Sequence, residues 1–328
     1  MKLIVGSGRS GTTWVQDALA AANGLRPVFE PLHPAVSRVG AQYAYRALDE
    51  NEPHPALERH FVQACAGEDH RMWTRYRGRR DLLLPALHEL HSLDEFNRLF
   101  RRWRKFLADL PPLVEAGRRH VPLVKCIRAN LMLGWLSRHL RARIVLIVRH
   151  PGAVIESQYR LGRVWDPEPV LQRFRDDSHL HELTRQRYRK LLSRRLSRIE
   201  ALATVWVIEN QTALASASTH AVEVVYYELL RSCPDREWGR IANALDLQSI
   251  PGEAVRGRPS QQSSTGGRPL AAASTDSPRW LRSLTSDQVA SIQGVLDEAE
   301  CDLYSMSQPE PGSPTPQAMH VDESGAAK

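Results

Sequence analysis

The sequence predicts an α/β fold with a doubly wound, mostly parallel sheet. Short runs of β-branched residues alternate with helical patterns along the chain, as they do where helices connect parallel strands. One run, RIVLIVR at residues 143–149, is apolar between its terminal arginines, which is typical of a central strand buried on both faces. The first run leads through the glycine-rich segment GSGRSG directly into a helical pattern.

The individual elements follow from these patterns. Strands are predicted at residues 2–5, 26–30, 122–126, 143–149 and 221–228, with 26–30 at an edge of the sheet. Helices are predicted at residues 13–22, 131–140, 151–161, 187–217, 235–245 and 285–299. Together they predict one domain over residues 1–304.

Two segments depart from the alternation of strands and helices. Residues 34–119 are helix-like, rich in aromatic residues and without a clear strand, which indicates a helical insertion. We expect this insertion to lie over the carboxyl ends of the strands, where open α/β sheets bind their ligands. Residues 305–328 are rich in Pro, Ser and Gly and are predicted to be a disordered tail.

Composition narrows the class of protein. A hydrophobic content of 42% and a charged content of 25% are typical of a soluble globular protein. The net charge of +7 favours an anionic ligand or partner, and no recognised nucleic-acid motif accompanies it. Neither a secretory signal nor an apolar run of about 18 residues is present, so we predict no membrane span and a cytoplasmic location.

Cysteine and metal-ligand spacing point to neither disulfides nor a metal. The scattered cysteines form no C-x-x-C pair and are predicted to be reduced packing residues: Cys65, Cys126, Cys233 and Cys301. No cluster of His, Cys, Asp and Glu has the spacing of a metal site, so we predict no bound metal.

The loop GSGRSGTTW has the spacing of a P-loop but not its lysine. A P-loop reads G-x-x-x-x-G-K-[ST]; here Gly6 and Gly11 have the right separation, Thr12 replaces the lysine, and Arg9 stands three residues earlier. Such a loop still directs backbone N–H groups at an oxyanion beside a helix N-terminus. The fold is therefore of the P-loop nucleotide-binding type, although the missing lysine argues against magnesium-dependent ATP chemistry. A degenerate P-loop kinase or NTPase remains the alternative.

Two segments carry a resemblance to a known family. Residues 9–14 (RSGTTW) resemble the 5′-phosphosulfate-binding motif of the sulfotransferases that use 3′-phosphoadenosine-5′-phosphosulfate (PAPS), with the arginine of the Golgi carbohydrate enzymes at the first position. Residues 143–162 resemble the 3′-phosphate-binding segment, with Arg149 at the strand end and Ser157 in the next helix. An arginine and a serine placed in this way can reach the same phosphate.

Three weaker matches support the same family. Glu30-Pro31-Leu32-His33 resembles an E-P-L-W-H segment of the carbohydrate enzymes, although the tryptophan is missing. Residues 225–230 (VYYELL) resemble a Y-E-D-L strand end, which places Tyr227 near the nucleotide. Residues 258–265 (RPSQQSST) look like the late loop that closes over it. The resemblance thus assigns these residues to donor binding: Arg9, Ser10, Gly11, Thr12, Thr13, Trp14, Arg149, Ser157 and Tyr227.

The resemblance implies in-line transfer of a sulfuryl group from PAPS to an acceptor hydroxyl, leaving adenosine 3′,5′-bisphosphate (PAP). Arg9 is then expected to stabilise the negative charge on the departing phosphate oxygen. Glu30 is expected to be the general base, and His33 is its competitor. A positioning or packing role for His33 is equally open.

The acceptor is the least specified part of the prediction. The arginine-type loop and the Glu30 segment favour a carbohydrate hydroxyl in a bacterial protein, with a peptidyl tyrosine, a lipid or a small natural product as alternatives. Lys125 and Arg128 are expected to be solvated charges at a strand end, or else to hold an anionic acceptor. The basic runs at residues 98–105 and 185–198 are solvated helix faces or a track for an anionic polymer, and a non-catalytic polyanion binder is a further rival.

Overall fold

Five parallel strands form the sheet in the computed structural model, which describes residues 1–34, 37–66, 121–257 and 278–312. They are β1 (Lys2–Val5), β2 (Arg26–Phe29), β3 (Pro122–Cys126), β4 (Arg143–Val148) and β5 (Val222–Tyr226). Their order is β2-β3-β1-β4-β5, and each neighbouring pair is parallel. All five carboxyl ends therefore meet at one edge, and the predicted fold class is confirmed.

Helices connect the strands on both faces of the sheet. In chain order the described helices are α1 (Thr12–Asn23), α2 (Arg38–Tyr43), α3 (Pro55–Ala66), α4 (Leu133–His139), α5 (Pro151–Arg160), α6 (Glu168–Asp176), α7 (Ser178–Leu183), α8 (Arg189–Ser193), α9 (Arg198–Thr219), α10 (Tyr227–Ser232), α11 (Pro234–Ala244), α12 (Glu253–Arg256), α13 (Trp280–Ser283) and α14 (Ser286–Glu298). Short 3₁₀ turns cover Asn130–Met132 and Gly162–Trp165. None of the helices in the described ranges combines the length and apolar character needed to cross a membrane.

The two faces of the sheet belong to two separate apolar cores. Side chains alternate along a strand, so in β1 Leu3 and Val5 point to one face and Ile4 to the other. Leu3 and Val5 join the larger core, to which α4, α5, α9 and α14 contribute. Ile4 joins a smaller core with Trp14 of α1 and Trp238 of α11. Burial on both faces explains why the strand sequences are almost continuously apolar.

Strand bounds agree with the sequence patterns to within two residues, with Tyr227 and Glu228 beginning α10 instead of ending β5. One predicted helix is interrupted. Residues 187–217 were expected to form a single helix, and they form α8 and α9 with a break between residues 193 and 198. Ser197 is extended at the break and accepts a hydrogen bond from the backbone N–H of Glu200, whose carboxylate accepts one from the backbone N–H of Ser197. This capping box starts α9. The prediction of one long helix is therefore wrong.

The chain beyond Tyr304 continues to pack on the domain. Met306 is 4% exposed, and its backbone N–H donates to Gln293 Oε1 at 2.8 Å. The carbonyl oxygens of Ser305 and Gln308 lie 3.2 and 3.0 Å from His150 Nε2. Residues 305–308 thus belong to the fold and not to the disordered tail predicted from Ser305, while residues 313–328 lie outside the described residues.

Part of the predicted helical insertion is described, and it lies near the carboxyl edge of the sheet. Residues 37–66 contain α2 and α3 and no strand. The backbone N–H of Tyr45 donates to the carbonyl of Arg128, just beyond the carboxyl end of β3, at 3.0 Å. Residues 67–120, which include the basic run 98–105, and the loop 258–265 lie outside the described residues.

The contact between the last described segment and α10 predicts a stability effect. The Tyr304 hydroxyl donates to Oε2 of half-buried Glu228 at 2.7 Å. Tyr304→Phe leaves that carboxylate oxygen without this donor and is expected to lower the free energy of unfolding by about 1–3 kcal/mol. Urea unfolding measures the change, with Tyr159→Phe on a more exposed ring as the control. Equal stability of the two variants would contradict the prediction.

Candidate active site

A tight loop joins β1 to α1 at the centre of the carboxyl edge. Gly6 has φ 154° and Gly11 has φ 97°. A side chain at Gly6 would collide with the carbonyl oxygen of Ile147 in β4, and one at Gly11 would lie 2.6 Å from the ring of Tyr227. Arg9 has φ 76°, a left-handed conformation that costs a non-glycine residue about 1–3 kcal/mol. The loop is therefore held against β4 and Tyr227 in a shape that requires its glycines.

The loop and the start of α1 present donors for an anion. Gly11 caps α1 without any side-chain hydrogen bond, and the first turn contains no acidic residue. The first N–H groups of a helix have no partner within the helix and carry a partial positive charge. Thr12 is buried and Thr13 half-buried at this terminus. The arrangement fits a phosphate or sulfate group.

The two phosphate-binding segments predicted from the sequence contact each other. Arg9 Nε donates to Ser157 Oγ at 3.0 Å, and Arg149 Nη1 donates to the carbonyl oxygen of Arg9 at 3.0 Å. Burial, together with the charges of Arg149 and Arg160, lowers the pKa of Arg9. An arginine stays charged in proteins, so this concentration of positive charge favours an anionic ligand.

Two buried polar atoms at the same place lack a hydrogen-bond partner. They are Ser10 Oγ and Arg149 Nε, neither of which bonds to any described residue. Buried polar groups are almost always hydrogen-bonded, so each such atom needs an explanation. A bound phosphorylated ligand would supply acceptors for both, so the residues present fit an anionic ligand that carries phosphate.

Aromatic residues flank the arginine cluster. The guanidinium carbon of Arg149 lies 4.2 Å from the ring centroid of Tyr227, a cation–π contact. Trp14 packs edge-on against Tyr227 at 5.8 Å and against Trp238 at 5.3 Å, and its Nε1 donates to the carbonyl of Arg256 at 3.0 Å. Tyr227 thus lies beside Arg149, and Trp14 packs against Tyr227. Donor binding by these two residues stays a prediction.

Glu30 lies at the carboxyl end of β2 inside an ion cluster. It is 2% exposed, and its carboxylate lies 2.7 Å from Lys125 Nζ and 2.7 Å from Arg128 Nη1, with the backbone N–H of Ile127 donating at 3.0 Å. Burial alone would raise the pKa of Glu30, but the two cations and the hydrogen bonds outweigh it and the pKa is lowered. The ion cluster therefore keeps Glu30 ionised.

The ion cluster also corrects an expectation about the two cations. Lys125 and Arg128 were expected to be solvated charges at a strand end, but their side chains are only 4% and 14% exposed. Lys125 Nζ lies 4.2 Å from the ring of Phe29, and the guanidinium of Arg128 lies 5.7 Å from the ring of Tyr45. The pairing of β2 with β3, which sets Phe29 beside Lys125, brings these charges to Glu30.

His33 adjoins the ion cluster in a more open position. Its backbone N–H donates to the carbonyl of Glu30 at 3.0 Å, and its side chain is half-buried. Burial, followed by the charge of Arg128, lowers its pKa below the usual value near neutrality. The imidazole is therefore neutral at pH 7.

A model of the sulfotransferase family matches residues 3–251, a span that includes the loop, the Arg149 segment and Tyr227. The chain belongs to this family. The match confirms the family and the enzyme class that the sequence predicts. No curated protein sequence matches the chain.

Solved structures similar to this sulfotransferase share little sequence with it. The sulfotransferase domain from the Synechococcus PCC 7002 olefin synthase is 19% identical, with a TM-score of 0.42, over 93% of this chain and 94% of that one. The sulfotransferase domain from the curacin biosynthetic pathway is 18% identical, with a TM-score of 0.39, over 92% and 97%. Mouse sulfotransferase SULT7A1 complexed with PAP is 10% identical, with a TM-score of 0.38, over 91% and 83%.

Sequence patterns missed a small cavity beside the loop of this sulfotransferase. It has a volume of about 30 Å³ and is lined by Gly8, Tyr45, Gln158, Trp165, Asp166, Pro167, Val170, Leu202, Val205 and Glu209. Gln158 Nε2 donates to the carbonyl of Gly8 at 2.8 Å, and the Trp165 ring occupies the space that a side chain at Gly8 would need. Glycine at residue 8 thus lets the tryptophan cover the loop.

Glu209 is the most unusual residue of that lining. It is buried, and burial raises its pKa to about 7. Glu209 is the one charged residue of the segment ALATVWVIENQ, residues 201–211. A single carboxyl group in an otherwise uncharged helical segment is the sequence feature that could have indicated this residue. Within the described ranges no group of three or more His, Cys, Asp and Glu residues is arranged to hold a metal.

Because Tyr227 lies so close to the loop, we expect a methyl group added at residue 11 to weaken PAP binding. Gly11→Ala places a side chain in the left-handed region and against the Tyr227 ring, so the affinity for PAP is expected to fall at least about tenfold. Gly24→Ala is the matched control, because Gly24 also has a positive φ, 58°, but no heavy atom within 4 Å of the added carbon. It should cost about 1 kcal/mol in stability and leave binding unchanged. Calorimetric titration and thermal unfolding check both expectations; equal PAP affinities for the two variants would contradict the role of the loop.

Proposed function

We propose that the chain transfers the sulfuryl group of PAPS to an acceptor hydroxyl. The observation that carries the proposal is the contact between the two phosphate-binding segments, in which Arg9 bonds Ser157 and Arg149 bonds the loop carbonyl of Arg9. Two arginines, an uncapped helix N-terminus and two buried polar atoms without partners converge there. A donor with phosphate groups at both its 5′ and 3′ positions matches this set of groups.

Each donor-site residue has a stated task in this proposal. The loop N–H groups, with Ser10, Thr12 and Thr13, hold the 5′-phosphosulfate, and Arg9 stabilises charge on the bridging phosphate oxygen. Arg149 and Ser157 hold the 3′-phosphate, and Tyr227 lies beside them. As the acceptor oxygen bonds to sulfur, the bond from sulfur to the bridging oxygen breaks, PAP departs, and the hydroxyl proton passes to a base.

For the base we favour His33 over Glu30, the residue preferred from the sequence. Glu30 already accepts three hydrogen bonds, and its lowered pKa makes it a weak proton acceptor. A general base works best with a pKa near the operating pH. The half-buried imidazole of His33 is neutral and can take up a proton, and an imidazole is ordinarily a stronger proton acceptor than a carboxylate. Glu30 then acts by holding Arg128 and Lys125 in place.

The acceptor in this proposal is a carbohydrate hydroxyl, which the arginine-type loop and the Glu30 segment favour. The cavity beside Gly8 does not discriminate between a carbohydrate, a lipid and a small natural product. Its volume is about 30 Å³, whereas a small-molecule site has a volume of about 300–1,000 Å³.

The donor assignment predicts discrimination for the 3′-phosphate. Without magnesium, PAP should bind at least about tenfold more tightly than AMP, which lacks only that phosphate, because a hydrogen bond to a charged group contributes about 1.5–3 kcal/mol. Arg149→Met should remove the preference and leave AMP binding nearly unchanged. Arg138→Met, an exposed arginine at the far end of α4, is the control. Calorimetric titration measures all the affinities; magnesium-dependent ADP binding tighter than PAP binding would support the degenerate NTPase.

The base assignment predicts a separation of turnover from stability. His33→Asn should lower kcat by about 10²- to 10⁴-fold while PAP binding and folding persist. The wild-type rate should rise with pH through the lowered pKa of His33 and level off above it, because the base must be unprotonated. The acceptor is one that the wild type sulfates in a screen of carbohydrate, lipid and aromatic alcohols.

Glu30→Gln provides the contrasting variant. It leaves two buried cations without their carboxylate and should lower the free energy of unfolding by about 3–5 kcal/mol. Urea unfolding measures the loss. A stable Glu30→Gln protein without turnover, beside an active His33→Asn protein, would return the base role to Glu30.

A further inference from the structure

Glu209 lies directly behind the donor loop with its carboxyl group cut off from solvent. It is 2% exposed on α9 and hydrogen-bonds to the side chains of Ser7 and Asn130. The Ser7 hydroxyl oxygen accepts a hydrogen bond from Asn210 Nδ2 at 2.9 Å, so the hydroxyl proton is available to Glu209. One side-chain contact therefore joins this carboxyl group to a residue of the loop.

The cavity joins Glu209 to the loop a second time. Glu209 and Gly8 line the same space, and Gln158, which bonds the Gly8 carbonyl, lines it too. The volume of about 30 Å³ exceeds what one water molecule needs. A change of charge at the loop therefore acts on the buried carboxyl group of Glu209 through the Ser7 hydroxyl and across the cavity that Glu209 and Gly8 line.

The charges near Glu209 stabilise its ionised form only weakly. Arg128 attracts the carboxylate of Glu209, but Arg128 is already paired with Glu30. The negative charge of Glu30 repels the carboxylate of Glu209. Tyr45 packs nearby with a pKa raised by burial, so it is neutral, and Asp166 on the cavity wall is exposed. Burial raises the pKa of Glu209 to about 7, which leaves both forms populated near neutrality.

We propose that Glu209 takes up a proton when the anionic nucleotide binds to the loop, so that the donor site binds PAP most tightly with Glu209 neutral. The inference rests on the proposed function, since it needs the nucleotide anion at the loop. New negative charge in the same buried region disfavours an ionised carboxylate. By linkage, protonation of that carboxylate must then favour the anion equally. No step of the proposed transfer uses Glu209; it sets the pH dependence of donor binding.

The test compares wild type with Glu209→Gln, which mimics the neutral form. PAP affinities are measured by calorimetric titration from pH 6 to 8.5. The ratio of the wild-type to the variant Kd should be near one at pH 6 and rise to about three- to tenfold at pH 8, as expected for one proton linked to a group of pKa about 7. Because the phosphates of PAP titrate identically with both proteins, the ratio isolates Glu209.

Proton counting gives an independent readout. Titrations at pH 8 in buffers of different ionisation enthalpy should show the wild type taking up a large fraction of one proton more than Glu209→Gln. Asp166→Asn, on the exposed wall of the same cavity, should behave like the wild type. If Glu209→Gln does not fold, Ser7→Ala replaces it. Loss of the Ser7 hydroxyl removes a bond to the ionised carboxylate, so the fall in affinity should move to higher pH.

The outcomes separate this inference from the function on which it rests. A Kd ratio that stays constant from pH 6 to 8.5, with equal proton uptake by both proteins, would overturn the role of Glu209 while PAP still binds. Failure of the wild type to bind PAP at any pH would overturn the proposed donor instead.

Discussion

The parallel pairing of β1 with β4 is the constraint on which the donor site depends. The register sets Val5 opposite Leu146, so the loop leaves β1 while β4 continues to Val148. Gly6 then passes against the carbonyl of Ile147, and Arg9 reaches the side chain of Arg149. A shift by one residue would turn every side chain of β4 to the opposite face and separate the two arginines. Backbone pairing in the core thus determines where the charges lie.

Two carboxyl groups at the same edge of the sheet have opposite properties because their surroundings differ. Glu30 lies between two cations, which lower its pKa in spite of its burial. Glu209 is equally buried, and burial raises its pKa to about 7, because the side chains that hydrogen-bond to it, Ser7 and Asn130, are neutral. Proteins commonly give two carboxyl groups different roles by placing them in surroundings that shift their pKa values in opposite directions. Here one carboxylate organises cations and the other responds to charge at the loop.

Local patterns were sufficient for the strands and for the family, and long-range pairing accounts for what they missed. The bounds of β1 and β3 follow from short apolar runs, and Arg9, Arg149 and Ser157 stand in recognisable segments. The cations beside Glu30 could not be foreseen, because they depend on β2 lying next to β3. Glu209 and Ser7 are far apart in sequence, so no motif joins them. The break before α9 could have been predicted from the sequence, because Ser197 and Glu200 have the spacing of a capping box. The apolar periodicity across residues 187–217 favoured one continuous helix instead.

The central position of β1 also governs how the chain reaches this structure. Of the five described strands, β1 comes earliest in the sequence and lies in the middle of the sheet, and its two partners, β3 and β4, begin at residues 122 and 143. Closing loops of this length before any strand pairing gains stability is entropically unfavourable, and folding slows as the separation of contacting residues grows. During synthesis, the apolar segment of β1 therefore lacks its described strand partners until β3, which begins at residue 122, has been made. This period is the time when the nascent protein most needs protection from aggregation.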